Sequence, residues 1–329
     1  MNRASTWAGY WRGWLLAFAA IPVVFTAMPR AASAQDYPAR KITFVVGFAP
    51  GGGVDTMARI VAQQLTEQLG YQIVIENRPG AASYIAAKAV AGAAPDGYTL
   101  LFTGNSLAIN QTLYKNRGYT IDQLQAVAFA AIDSQALAIK SDRAARTLAE
   151  FLQGTRGQSF TFGYGGSSAH IVGEYVFNIV AKAAAIGVPF QSGLPAINAL
   201  LGNHVDIVAG PVAEIYPQAE QGAMRALAVT GARRAEAFPD VPTLSEVGFP
   251  GIEINGWIGL LAPAGTPAEI CTKLNAAVRA AVAEPKVEKR LRDLGYEPRA
   301  ISLPETAMML KRSVATWERM ILATGITAE

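Results

Sequence analysis

Between Ile42 and Asp55 the chain reads Ile-Thr-Phe-Val-Val-Gly-Phe-Ala-Pro-Gly-Gly-Gly-Val-Asp, a β-branched apolar run that stops at three glycines and passes at once into an amphipathic pattern. Glycines let backbone approach a ligand closely. The unpaired N–H groups of a helix's first turn then point at it, with the positive end of the helix dipole behind them. This is chemistry for holding a small carboxylate or phosphate rather than for breaking a bond. Two further stretches, Gly80 to Ser83 and Gly163 to Ser168, also follow strand-like runs and precede helical ones. In a parallel sheet such loops gather at the carboxyl edge, where open α/β folds bind ligands.

Catalytic arrangements are lacking. The sequence holds no Gly-x-Ser-x-Gly elbow, no His-Glu-x-x-His pair, no Gly-x-x-x-x-Gly-Lys-Ser/Thr loop and no Gly-x-Gly-x-x-Gly fingerprint. After the N-terminal segment it has two histidines, His170 and His204, and one cysteine, Cys271, so no cofactor and no metal centre are expected. Cys271 lies in a helical pattern with Ile270 and Leu274 and reads as a buried structural thiol. Asp55 reads as a helix cap, a brace for the glycine turn, or a contact for a cationic ligand group. His170, Tyr164 and Trp257 each read either as pocket wall or as ordinary packing.

The elements that position these loops alternate strand and helix almost throughout, the signature of parallel sheets covered by helices. The spacing predicts a strand over Ile42–Val46, a helix from about Val54 to Leu69 stopped by Gly70, a strand at Ile73–Ile75, a helix from Tyr84 to Ala91, and a strand from Tyr98 to Thr103. After a polar interval around Tyr119 to Gln125 the pattern restarts with a strand at Leu137–Ile139 and a capping box at Thr147 and Glu150. A strand at Phe160–Phe162, a long helix with Val172, Tyr175, Val176 and Ile179, and further strand and helix units follow. A strand at Trp257–Leu261 crosses back to the first unit, and two capped helices, starting at Thr266-Pro267 and at Ser302, finish the chain.

Residues 1–34 read as a secretory signal: Arg3 and Arg12, an apolar stretch from Trp14 to Met28, and Ala32-Ser33-Ala34 as the cleavage site, with the mature chain starting near Gln35. Three of the 28 basic residues and none of the 25 acidic ones lie in it, so the mature chain is balanced in charge and has no electrostatic footprint for nucleic acid. No later segment offers the roughly 18 uninterrupted apolar residues of a membrane span. The remaining length exceeds what one core usually organises, which favours two domains.

Six segments resemble one family, the Bug-type (TctC-like) periplasmic receptors of tripartite tricarboxylate transporters: Val46 to Arg59, Val74 to Ala81, Ala94 to Leu100, Arg225 to Thr230, Pro239 to Thr243 and Ala262 to Pro267. The resemblance implies an α/β, two-lobed Venus-flytrap architecture, each lobe a mixed, mostly parallel sheet flanked by helices. The expected lobes are 35–136 with 256–329, and 137–255. It implies a monomeric, periplasmic, non-enzymatic receptor that closes over a small carboxylate and delivers it to a membrane permease of the tripartite type. A receptor for amino acids or aromatic carboxylates with a sensing role, or an enzyme acting on a similar anion, is the alternative. Carried over by motif, the ligand-binding residues are Phe48, Ala49, Gly51, Gly52, Gly53 and Asp55 in the first loop and Ala81, Ala82 and Ser83 in the second. The other lobe adds Tyr164, Ser167, Ser168 and His170, and then Gly210, Pro211 and Val212. This chain departs from the family's usual Gly-Ala-Gly-Gly in the second loop, where it has Gly80-Ala81-Ala82-Ser83. That leaves two expectations open: Ser83 as a helix cap and extra donor, or a changed ligand geometry.

Overall fold

The computed structural model describes residues 37–114 and 118–327. The signal and its cleavage site, read over residues 1–34, lie outside the described residues. The first unit runs β1 (Ile42–Val46), α1 (Gly53–Leu69), β2 (Ile73–Asn77), α2 (Tyr84–Ala91), β3 (Thr99–Gly104) and α3 (Ser106–Leu113). α1 forms because Met57, Val61 and Leu65 fall on one stripe and are fully buried. It stops where Gly70, at φ 67°, takes the left-handed conformation and donates its N–H to the Thr66 carbonyl.

β4 (Leu124–Lys140) is a single strand of 17 residues. The second unit follows with α4 (Leu148–Gly154), β5 (Ser159–Tyr164), α5 (Ser167–Gly173) continuing into a π-wound segment at Glu174–Val180, β6 (Ala184–Pro189), α6 (Gly193–Leu201), β7 (Ile207–Pro211), α7 (Val212–Glu220) and β8 (Met224–Val229). The chain then returns through β9 (Asn255–Pro263), α8 (Ala268–Val282), α9 (Pro285–Asp293), β10 (Glu297–Pro298) and α10 (Leu303–Thr324).

Among the described residues all ten strands are connected, in the order β2-β1-β3-β9-β4-β7-β5-β6, with β8 and β10 also paired to β4. β1 is parallel to β2 and β3, and β5 is parallel to β6 and β7, while β9 and β4 run against their neighbours. This is the mixed α/β, two-lobed architecture expected from the sequence. β4 belongs to both sheets. It pairs with β9 as far as Ser134, opposite Asn255, and with β7 from Gln135, opposite Pro211. The lobes therefore meet at Ser134–Gln135 and again at Ile254–Asn255.

Thr230, fully buried, fastens these two crossings. Its N–H donates to the Gln135 carbonyl at 2.9 Å and its hydroxyl accepts from the Gln135 N–H at 3.0 Å. The same hydroxyl donates to the Ile254 carbonyl at 2.8 Å, and the Thr230 carbonyl accepts from the Ile254 N–H at 2.7 Å.

One core packs β1, β3, β4 and β9 against α1 and α8, around Phe44, Phe102 and Leu260. The opposite face of that sheet packs Val45, Leu101, Phe129 and Trp257 against α2 and the first half of α10. In the second lobe one face of the sheet gathers Leu137, Ile139, Phe160, Phe162 and Phe177, and the other Ala136, Ala138, Ile197, Leu200, Val212 and Ile215. α10 spans both lobes: Leu310 packs in the first, Trp317, Met320 and Ile321 in the second.

Three features differ from the sequence reading. The stretch around Tyr119 to Gln125 is a 3₁₀ turn running into β4, not a break before a short strand at Leu137–Ile139. α3 was not expected, and three helices rather than two finish the chain. The capping boxes are as read: the Thr147 hydroxyl accepts from the Glu150 N–H, and the Ser302 hydroxyl from that of Glu305. Cys271 is buried, and burial pushes its thiol up to about 11. Trp257 is core: fully buried, stacked on Phe129 at 4.2 Å, its indole N–H donating to the Ser313 hydroxyl. Among the described residues no helix is long and apolar enough to cross a membrane.

Candidate ligand-binding cleft

The pairing that joins the lobes also aims their loops. β3 ends at Gly104 beside Ile258, close to where β9 leaves the crossing, and β7 ends at Pro211 opposite Gln135 on the crossing itself. Both sheets thus turn their carboxyl edges to the junction, and the loops after β1, β2, β5 and β7 border it, as expected for ligand sites in open α/β sheets.

The first loop is held by Asp55. This residue is 1% exposed and accepts four contacts from its own neighbourhood: the Gly51 N–H at 2.8 Å, Arg59 Nε at 2.9 Å, Arg59 Nη2 at 3.0 Å and Asn77 Nδ2 at 2.8 Å. Burial pushes its carboxyl up, but the hydrogen bonds from Arg59, Asn77 and Gly51 outweigh burial and hold it at about 2. Asn77 Nδ2 also donates to the Phe48 carbonyl at 3.0 Å, tying the first loop to the end of β2. Gly51, at φ +84°, makes the turn. Ala49, Gly51, Gly52 and Gly53 are exposed, and Phe48 packs partly into the first core. Asp55 is therefore the turn's brace. Its charge faces Arg59 and amide donors, which removes the repulsion a bare carboxylate would exert on an anion and leaves no face for a cationic ligand group.

The second loop puts Ala81, Ala82 and Ser83 at φ 43°, 49° and 74°, three consecutive non-glycine residues in the left-handed region, each costing about 1 kcal/mol. What holds them is visible. Asn110 Nδ2 donates to the Ala82 carbonyl at 2.9 Å, and the Ser83 hydroxyl is hydrogen-bonded to that of Thr103 at 2.8 Å. Ser83 sits at the cap position of α2 without a side-chain cap bond and has no exposed surface. A Cβ at Gly47 would lie 1.8 Å from its oxygen, so only glycine at 47 admits it. The hydroxyl expected as an extra donor is thus spent inside the lobe, and Ala81 and Ala82 are what the loop exposes.

In the second lobe Tyr164 and His170 stack with ring centroids 4.2 Å apart and planes 3° off parallel. Burial lowers the His170 pKa, against the opposing pull of Glu174, whose carboxylate is 3.9 Å from Nε2. Ser167 and Ser168 open α5 and are half-buried. Val212 is buried, its side chain in the second lobe's core with Ile215, so only the main chain at the start of α7 borders the junction. The structure thus joins the first two loops to each other through Asn77, and Tyr164 to His170. The two groups are brought to one junction without a direct bond between them.

Sequence reasoning missed a set at that junction. Asp133, on β4 just before the crossing, stands near Glu214 of α7 and Tyr296, which precedes β10. Burial, and then Glu214, push the Asp133 carboxyl up to about 7; burial raises Glu214 and Tyr296 as well. The signal that marks them is Asp133-Ser134-Gln135, a polar trio inside an otherwise apolar strand.

A family model described as the tripartite tricarboxylate transporter family receptor, TctC, matches residues 57–326. The chain is similar to a UPF0065 protein of Bordetella bronchiseptica, 34% identical over 309 residues that cover 93% of this chain and 92% of that protein. Among solved structures it is similar to an R. palustris protein with adipate, at 30% identity, TM-score 0.77, and coverage of 89% of this chain and 99% of that one. It is also similar to MatC from Rhodopseudomonas palustris with bound malate, at 32% identity, TM-score 0.73, and coverage of 87% and 100%.

Proposed function

Because this chain belongs to the TctC family of tripartite tricarboxylate transporter receptors, which are periplasmic solute-binding proteins, we propose that it captures a small carboxylate between its lobes and presents it to a tripartite-type permease. It acts as a monomer and without chemical change to the solute. The lobes are those read from the sequence, 35–136 with 256–329 and 137–255, with each boundary moved by one or two residues to the two crossings and the end of α10 laid across the second. The exported form begins near Gln35.

The observation that carries this reading is the first loop. Its glycines are exposed at the start of a 17-residue helix whose first N–H groups have no intrahelical partner, and Asp55 is neutralised beneath it. The ligand carboxylate rests on the main chain of Ala49, Gly51, Gly52 and Gly53, with Phe48 and Asp55 shaping the turn and Ala81 and Ala82 facing it. Ser83 contributes through the backbone geometry it fixes. Tyr164, Ser167, Ser168, His170 and the main chain at Val212 close from the other lobe. Closure is a hinge motion at the two crossings, driven by contacts present only when the lobes are shut.

Calorimetry on the purified chain from Gln35 tests this against mono- and dicarboxylates, including adipate and malate, which two similar proteins carry. Binding in the micromolar range, about −8 kcal/mol, is expected. Silence across the panel would overturn the reading. Mass spectrometry after overnight incubation should return the bound solute unaltered; a converted product would make the protein an enzyme.

A further inference from the structure

Of the five buried side-chain atoms that lack a hydrogen-bond partner among the described residues, four sit on three residues: Gln135 Nε2 and Oε1, Ser106 Oγ and Asn110 Oδ1. Buried polar atoms ordinarily have partners, so their concentration here calls for a cause. Gln135 is 1% exposed and Asn110 is fully buried. The Asn110 amide has a fixed orientation, because its Nδ2 donates to the Ala82 carbonyl and Oδ1 then points away from it.

The fold brings the three to one seam between the lobes. Gln135 lies on the β4 face of Leu137 and Ile139, which packs with Ala108 and Ile109 of α3 and with Ala169 and Val172 of α5. It stands opposite Pro211, the last residue of β7, and β7 sets Val208 opposite Gly163 of β5. Three residues on from that pair, the level of Gln135 on β5 is Gly166, directly before Ser167 and Ser168 open α5. The start of α3 reaches the same level from the first lobe. Its cap residue Asn105 accepts from the Trp257 N–H, and a Cβ at Gly256 would press on both the Asp133 carbonyl and the Asn105 amide. Ser106 comes next, and Asn110 lies one turn further along the same stripe, against the second loop.

The chemistry of these atoms selects among solutes. Gln135 Oε1 and Asn110 Oδ1 only accept, Gln135 Nε2 only donates, and the Ser106 hydroxyl does either. A second carboxylate would set its lone pairs against two of the four atoms. An ammonium would leave Gln135 Nε2 unpaired, and a methylene would leave all four so. A hydroxyl both donates and accepts, and it is the smallest group that does.

We propose that Gln135, Ser106 and Asn110 receive a hydroxyl of the solute whose carboxylate rests on the first loop, so that the ligand is a hydroxy acid rather than an unsubstituted one. The inference rests on the carboxylate-receptor reading. The second loop links the two places: Ser83 packs against Gly47 at the foot of the first loop, and Ala82 beside it holds Asn110. A solute entering between parted lobes meets Ser106 and Asn110 on the first lobe and Gln135 on the crossing before α5 closes over it. The analogue without the hydroxyl is rejected because it leaves buried polar groups unpaired.

Calorimetry on the purified chain from Gln35 tests this with hydroxy acids, each paired with its deoxy partner: malate with succinate, citrate with tricarballylate, lactate with propionate, 3-hydroxybutyrate with butyrate. The expected result is a hydroxy acid bound at least tenfold more tightly than its partner. Gln135→Met, close in volume but without the amide, should cut affinity for that hydroxy acid tenfold or more and leave affinity for the deoxy acid within threefold, with thermal unfolding still cooperative. If Gln135→Met does not fold, Ser106→Ala reads the same difference. Equal loss for both members of the pair would make these residues structural and overturn the proposal, as would a preference that survives the substitution. Deoxy acids binding as well as hydroxy acids to the natural chain would overturn it too and leave the carboxylate receptor standing. If nothing in either set binds, both readings fall.

Discussion

Asp55 and Asp133 both stand at the junction end of the first lobe, one inside the first turn of α1 and the other beside it through Tyr296. Asp55 is shut from water and fully answered: an arginine, an asparagine amide and a backbone N–H take up its charge, and its carboxyl is held at about 2. Asp133 is half-buried and unanswered, and its carboxyl is pushed up to about 7. Three of Asp55's partners come from within four residues of it or from the adjoining strand. The surroundings of Asp133 come from three elements far apart in the chain. A carboxylate satisfied by its own loop is a scaffold, because any guest would have to displace bonds already made. One left without donors by the fold opposes it whenever it is charged.

Substitutions that treat the two alike should therefore give opposite results. Asp55→Ala strands the Gly51 N–H and the Asn77 amide and should lower stability by about 3 kcal/mol in urea unfolding, with the loss of solute binding that follows from a loosened first loop. A loss below 1 kcal/mol would mean that the turn holds itself. Asp133→Asn removes a half-buried charge that nothing balances, and at pH 8 should raise stability by about 2 kcal/mol. Destabilisation there would reveal a partner for Asp133 and erase the contrast.

The same pair separates by pH. Asp55, depressed from 3.8 to about 2, contributes stability that is present above 3.8 and lost as the pH falls through 2. Asp133, raised from 3.8 to about 7, does the reverse: the folded form is favoured by its proton below 3.8, and that advantage is lost as the pH rises through 7. Urea midpoints measured from pH 4 to 8 should decline more steeply in the natural chain than in Asp133→Asn. Parallel curves would refute the assignment.

At the crossing next to Asp133, Thr230→Val keeps shape but removes the hydroxyl shared by Gln135 and Ile254. It should cost about 1–2 kcal/mol, and the Gln135 N–H should become the first crossing amide to exchange with deuterium. In the second loop Ala82→Gly relieves a left-handed alanine and should stabilise by less than about 1 kcal/mol, the smallest of these effects. A loss instead would show that the methyl group packs against something in the loop.

The first lobe's opening elements are legible because their signals are local. β1 is a β-branched run that ends where glycines begin, and α1 carries its stripe and its stop within one stretch. The glycine loops and the capping boxes are legible for the same reason. β4 is not. Its alanines at 126, 128, 130, 131, 136 and 138 carry little strand propensity, and because both its faces are covered it shows no alternation to read. The strained second loop is legible as a departure, but the inward turn of the Ser83 hydroxyl depends on Thr103 and on the bare Gly47 opposite it. Asp133 hides for a related reason. An acidic residue in an unrecognised strand carries no weight until Tyr296 and Glu214 are folded against it.

β4 also sets a limit on how the molecule can change. Leu137 and Ile139 fill one of the second lobe's cores while Ala136 and Ala138 fill the other, and upstream the same backbone is locked to β9 and β10. Adding or deleting one residue between Ile132 and Gln135 would exchange large and small side chains of β4 between the second lobe's two cores. Here the count of residues is itself part of the architecture, and a frame-preserving indel would be read by two cores at once.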